Sequence, residues 1–278
     1  MTGATEWSGA VGSVWAQEHA RTEQALAGVA AVLDAAIVAV APARGRAVDL
    51  GCGGGSTALT LAAARPGLTI TGVDLSAELV AVARARPARA GVSFMAGDIA
   101  EVLPGLAPVD LLVSRHGVMF FDDPVAGFAS LGNSAVAGAP LVFSCFRARA
   151  ENDWAASLDN ALDLVRPVAP GYAPGPFALS ERATVQEVLT GAGWRDVRLH
   201  AHDVDYVVGT GDDPVADALA FYRRIGPAAS VLAAAEPDQR VELERRLGDM
   251  LSRRIRDGAV TFSAAIWVVS ARAPKELS

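Results

Sequence analysis

The residues best suited to chemistry sit at the ends of short apolar runs. The stretch VDLGCGGGS, residues 48–56, carries Asp49 inside the run and then four glycines in five positions. Glycine has no Cβ, so a ligand can approach the main chain and the chain can take φ > 0. A strand, a glycine-rich turn and a helix are common to dinucleotide-binding and nucleoside-binding sheets. Two more carboxylates follow. Asp74 closes LTITGVDL (68–75), where it can accept hydrogen bonds from both hydroxyls of a ribose. Asp98 closes the next apolar run, in AGDI (96–99), placed to meet an adenine amino group. Three carboxylates at the ends of consecutive strands suit a ligand without phosphates. They fit a cationic sulfonium nucleoside better than a polyanionic dinucleotide. Residues 53–58 also read as G-x-G-x-x-A, which keeps a nicotinamide-dependent oxidoreductase as an alternative.

His116 follows the fourth apolar run and titrates near neutrality when unperturbed, about 6.5. It is the candidate general base for an acceptor that starts protonated. Arg147 follows the fifth run, beside Asn152 and Trp154, and can hold a carboxylate bidentately. Glu151 and Asp153 compete for it. His200 and His202 alternate on one strand without a third ligand, so no metal site is expected.

These residues need a scaffold that presents strand ends side by side. Residues 16–40 read as one helix, broken by Pro42 and Gly45. Strands are expected at 46–50, 68–75, 92–95, 109–113 and 140–146. A helix covers 56–64, and Ser76 and Asp123 are N-cap signals for two more. Alternating strand and helix implies a parallel sheet covered on both faces, with ligands at the carboxyl ends of the strands. Residues 147–178 read as loop, with a proline-rich cover at 167–176 walled by Tyr172 and Phe177. A helix is expected at 180–192, a strand at 194–208, helix through 213–257 and a last strand at 262–271.

The chain has 278 residues, half of them hydrophobic and one-fifth charged, with a formal charge of −7. That is a globular composition with a sizeable core. An acidic chain without a basic run argues against gripping nucleic acid. Two cysteines are too few for a disulfide framework, and both lie in apolar runs, which fits a cytoplasmic protein. The opening MTGATEWSGAVGSVW lacks the pattern of a signal peptide. Residues 29–43 are too short for a membrane span and carry Asp34.

With VDLGCGGGS (48–56), TGVDLS (71–76), AGDI (96–99) and VDLLVSRHGVMFF (109–121), the sequence resembles the class I S-adenosylmethionine-dependent methyltransferases. Looser likeness runs through WSGAVGSVW (7–15), FSCFRARAENDW (143–154) and PGPFALS (174–180). The bacterial small-molecule subgroup around the ubiquinone, menaquinone and trans-aconitate methyltransferases is the most similar. The resemblance implies an α/β fold: a Rossmann-like, doubly wound seven-stranded sheet, mostly parallel with one antiparallel strand, plus an N-terminal helical lid. It implies a single domain over 1–278, with 1–45 as the lid, 46–146 as the cofactor-binding half and 147–278 as substrate cover and final strands. It implies S-adenosyl-L-methionine as cofactor. Gly51, Gly53 and Gly55 would line its methionine part, Asp49 would sit near its amino group, and Asp74 with Leu75 would take the ribose. Asp98 and Ile99 would take the adenine, Ser114 and Arg115 would lie beside it, and Trp15 would close the lid. The expected reaction is methyl transfer to a small molecule at oxygen or carbon. A protein or peptide acceptor is the other alternative.

Overall fold

The alternating apolar runs form the strands they predict. The computed structural model describes residues 7–165 and 172–274. Residues 167–171 of the proline-rich cover lie outside them. The main sheet runs in the order β3-β2-β1-β4-β5-β8-β6, with β1 Gly45–Leu50, β2 Leu68–Asp74, β3 Val92–Ala96, β4 Leu111–Arg115, β5 Pro140–Phe146, β6 Arg195–Gly209 and β8 Ala259–Arg272. The pairs β1–β2, β1–β4, β2–β3 and β4–β5 are parallel. β8 is antiparallel to both β5 and β6, so β8 alone is reversed in the seven-strand path. A two-residue eighth strand, β7 Ile255–Arg256, pairs with the start of β8.

The order turns around between β1 and β4. Their C-terminal ends therefore lie side by side with no crossover helix between them, which is where this architecture opens a crevice. Three capped helices feed that edge. Helix Ala77–Ala85 starts at Ser76, whose Oγ accepts from Leu79 N at 3.2 Å. Helix Ile99–Leu106 starts at Asp98, which accepts from Ala100 N at 2.7 Å. Helix Pro124–Ser134 starts at Asp123, which accepts from Ala126 N at 3.0 Å.

Several expected elements differ. The helix expected at 16–40 is three pieces: α1 Ala10–Gln17, α2 His19–Ala25 and α3 Ala27–Val40. The last two are bent by 71°. The bend lets α3 lie against β6, so close that a Cβ on Gly28 would come within 2.7 Å of Asp205 O. Val29, Leu33 and Ile37 of α3 are buried one turn apart, as an amphipathic helix requires. No single helix among the described residues is long and apolar enough to cross a membrane. The region 147–178, expected as loop, holds a 3-10 turn at Arg149–Glu151 and a helix at Asp153–Ala161. The helical stretch expected at 213–257 is three helices, Pro214–Tyr222, Gly226–Ala234 and Pro237–Ser252. Gly226 takes φ +76°, and Pro227 and Pro237 stand at helix starts, where proline is tolerated. The fourth strand begins at Leu111 rather than 109, because Val109 makes only an isolated bridge to Ala135.

Candidate active site

The glycine loop leaves β1 and is tied at once to β2. Gly51 N and Cys52 N donate to Val73 O at 2.9 and 3.0 Å. The three odd-numbered glycines are all left-handed, at φ +67° (Gly51), +51° (Gly53) and +80° (Gly55), but for different spatial reasons. A Cβ on Gly51 would meet Gly117 Cα at 2.8 Å, and one on Gly55 would meet the Phe94 ring at 2.6 Å. One on Gly53 would meet nothing within 4 Å. Gly51 and Gly55 thus let backbone and ring pack closely, and Gly53 is the one with open space before it.

Asp49 lies beneath this loop, 1 % exposed. Its Oδ2 accepts from Ala58 N, at the N-terminal end of helix Ser56–Ala64, at 3.1 Å. Its Oδ1 is buried without a hydrogen-bond partner among the described residues. Burial pushes its pKa up to about 7, against the nearby Arg115 cation and the Ala58 N–H, which lower it. Asp74 closes β2. Its Oδ2 accepts from Gly53 N at 2.7 Å and its Oδ1 from Ser76 N at 2.9 Å. Burial raises this carboxyl too, opposed by those two N–H groups. Each Asp74 oxygen keeps lone pairs for a further donor. Leu75 and Ile99 are half-buried and Asp98 is exposed.

The end of β4 forms a second tight turn against the glycine loop. Ser114 Oγ donates to Leu50 O at 2.6 Å and accepts from Gly117 N at 3.1 Å. Its hydroxyl therefore holds β1 and the turn together. Arg115 donates to Ser56 Oγ at 2.7 Å and stands between Asp49 and Asp34 electrostatically. His116 takes φ +60°, a conformation that costs a non-glycine residue of order 1–3 kcal/mol. It is locked there from β5: its N–H donates to Ser144 O at 3.2 Å, and its Nδ1 is 2.9 Å from Ser144 Oγ. Its ring meets Phe146 edge to face, centroids 4.3 Å apart. Its Nε2 is buried with no hydrogen-bond partner among the described residues. Desolvation, with Arg115 nearby, pushes its pKa down to about 3. His116 is neutral at physiological pH and a weak base.

The N-terminal segment crosses the mouth of β2. A Cβ on Gly12 of α1 would come within 2.6 Å of Ser76 Oγ, and Ser13 Oγ donates to Glu78 at 2.8 Å. Trp7 joins Trp15 and Phe120 edge to face, each at 5.3 Å between centroids. Phe120 belongs to the 3-10 turn after His116, so this aromatic cluster links the N-terminus to the turn beyond β4.

Arg147 lies farther along the sheet. It is held by Glu151 and by Asp203 at 2.9 Å and stands over the Trp267 ring at 5.4 Å. Its charge is matched by two carboxylates, of which Asp203 was not foreseen. Asn152 is fully buried and uses both ends of its amide. It donates to Arg147 O and Ala148 O and accepts from Trp154 Nε1 and Ala265 N. Trp154 packs between Phe146, Phe177 and Tyr206, and Tyr172 donates to Met119 O at 3.4 Å. Sequence reasoning missed Ser144. Its signal was a lone hydroxyl in PLVFSCF, a strand buried at every position.

Part of the chain is similar to known proteins. Residues 47–133 match a family model described as a methyltransferase domain. The release factor glutamine methyltransferase of Bordetella pertussis is 42% identical over 72 residues, 25% of this chain and 27% of that protein. The magnesium-protoporphyrin O-methyltransferase of Rhodobacter capsulatus is 35% identical over 85 residues, 30% of this chain and 36% of that one. These matches thus span about a quarter to a third of both curated relatives. Among solved structures, phosphoethanolamine N-methyltransferase 2 of Haemonchus contortus, in complex with phosphomonomethylethanolamine and S-adenosylhomocysteine, superposes with a TM-score of 0.50 at 16% identity. That match covers 87% of this chain and 52% of that one. The methyltransferase-domain match thus runs from β1 to the helix after β4, on a sheet of this order.

Proposed function

We propose that this protein transfers a methyl group from S-adenosylmethionine to a small-molecule acceptor, releasing S-adenosylhomocysteine. The observation that carries the reading is Asp49 Oδ1, a buried carboxylate oxygen without a hydrogen-bond partner among the described residues, beneath a left-handed glycine loop. A buried, unpaired charge acceptor is costly, and the ammonium of a methionine moiety satisfies it. The open space before Gly53 and the spare lone pairs of Asp74 fit the same ligand. When bound, the cofactor supplies a methyl already activated on a sulfonium.

The residues then divide by task. Asp49, with Gly51, Gly53 and Gly55, holds the methionine end. Asp74 and Leu75 hold the ribose, and Asp98 and Ile99 the adenine. Ser114 and Arg115 keep the turn after β4 against the glycine loop. Trp15, with Trp7 and Phe120, closes the N-terminal segment over the cofactor and excludes water. His116 faces the acceptor, and Arg147 lines the approach from β5, oriented by Glu151 and Asp203. The chain works as a single domain in which 1–45 is the lid and 147–278 supplies the acceptor side. The curated relatives are named for a protein glutamine and for a porphyrin oxygen. A lid tied to the cofactor mouth favours the smaller acceptor. Two buried free thiols, Cys52 and Cys145, fit a cytoplasmic protein. The subgroup near the ubiquinone, menaquinone and trans-aconitate enzymes remains our reading of the motifs.

Calorimetric titration with S-adenosylmethionine, S-adenosylhomocysteine and NAD(H) tests the cofactor. Micromolar binding of the first two, lost in Asp74→Ala, is expected. Binding of NAD(H) alone would overturn the proposal.

A further inference from the structure

Ser144 and His116 hold more than the cofactor assignment uses. Ser144 is fully buried on β5, and its hydroxyl has one hydrogen-bond partner among the described residues, His116 Nδ1 at 2.9 Å. A buried hydroxyl that donates to nothing loses the solvation of its O–H, so the favoured arrangement has Ser144 O–H donating to the Nδ1 lone pair. A neutral imidazole with Nδ1 accepting carries its one hydrogen on Nε2. That nitrogen is buried and has no hydrogen-bond partner among the described residues. The strained φ of His116 and its backbone bond to Ser144 O fix the ring relative to β5.

We infer that Ser144 is a positioning residue that locks His116 in the Nε2–H tautomer, so that His116 meets the methyl acceptor as a hydrogen-bond donor, and that the atom methylated is an ionised oxygen. The inference rests on the proposed methyl transfer. An Nε2 that already carries its hydrogen has no lone pair with which to take a proton from the acceptor, and a proton added at Nδ1 would make an imidazolium, which burial and Arg115 oppose. It would also occupy the single lone pair of an amine nitrogen and block attack. An oxyanion has several lone pairs: one accepts from Nε2–H while another attacks. That lone pair forms the bond to the methyl carbon as the methyl–sulfur bond breaks, its electron pair staying on sulfur. The oxygen arrives without its proton, so none has to leave. Carboxylates, acidic phenols and enolised 1,3-diketones share this chemistry.

The test is the nitrogen spectrum of the full-length protein labelled with 15N-histidine, with His116→Gln assigning the resonances. A pyrrole-type Nε2 and a pyridine-type Nδ1 at pH 7 are expected, without titration between pH 5 and 8. The opposite pattern, or a doubly protonated ring, overturns the inference whether or not the cofactor binds. Ser144→Ala should convert the sharp pattern to tautomer-averaged shifts, and Ser144→Thr should restore it. An unchanged Ser144→Ala spectrum overturns the positioning role. In turnover, a panel on one aromatic frame should give methylation of a carboxylate or acidic phenol. Methylation of the amine member alone overturns the oxygen assignment, and absence of S-adenosylhomocysteine binding would instead sink the methyltransferase reading.

Discussion

Asp49→Asn should make the protein more stable at pH 8 while weakening its hold on cofactor. Burial lifts the Asp49 carboxyl from an ordinary 3.8 to about 7. The fold therefore favours the protonated form. Its stabilising effect is complete below the unfolded value and is lost as pH rises through the folded one. At ~1.4 kcal/mol for each tenfold change, holding Asp49 ionised at pH 8 costs on the order of 4 kcal/mol. Asparagine is neutral throughout and can still accept from Ala58 N, so it escapes that cost. Urea unfolding at pH 5 and pH 8 measures it: wild type should lose stability relative to the variant across that interval, whatever their difference at pH 5. Cofactor binding runs the other way, because an ammonium needs the carboxylate. Wild-type affinity for S-adenosylhomocysteine should fall about tenfold for each pH unit below 7. The variant should bind more weakly at pH 8, with no such slope. The groups acting on Asp49 are Arg115, Asp74 and Asp34, and only the wild-type slope should follow its titration. Parallel pH–stability curves for the two proteins would refute the burial argument.

Two further outcomes follow from the glycine loop and the Asn152 knot. Gly51→Ala should destabilise by more than Gly53→Ala. Both pay about 1–3 kcal/mol for the left-handed backbone, but only Gly51 also meets Gly117 Cα, at 2.8 Å; equal midpoints in urea would contradict this. Asn152→Ala should cost on the order of 3 kcal/mol, because it strands buried donors on Trp154 and Ala265. Its folded fraction should bind S-adenosylhomocysteine like wild type, so a selective loss of binding would give Asn152 a direct role.

The local elements of the cofactor half are written in its sequence. Apolar runs of strand length, a glycine turn after the first, and Ser76 and Asp123 as caps each state their place through short-range chemistry: pleat periodicity, freedom of φ and orphan N–H groups at helix starts. The resemblance of the motifs to class I methyltransferases was likewise legible, because those residues lie in contiguous stretches. The second half was harder to read. The helix at Asp153–Ala161 is anchored by Asn152 to Ala265 more than a hundred residues away, and the bend between α2 and α3 is set by the approach of Gly28 to β6. Contacts of that span leave no periodic trace.

The sequence by itself determined which carboxylates and glycines stand at the strand ends and that a parallel sheet would gather them. Only the tertiary structure decided their electrostatic state. Packing removed water from Asp49 and from His116, lifting the pKa of one and depressing that of the other. It turned Arg147 toward Asp203 on a distant strand and brought Ser144 of β5 onto the ring of His116. Burial and cross-strand neighbours are properties of the assembled sheet, because a side chain's solvation depends on what covers it rather than on what precedes it in the chain.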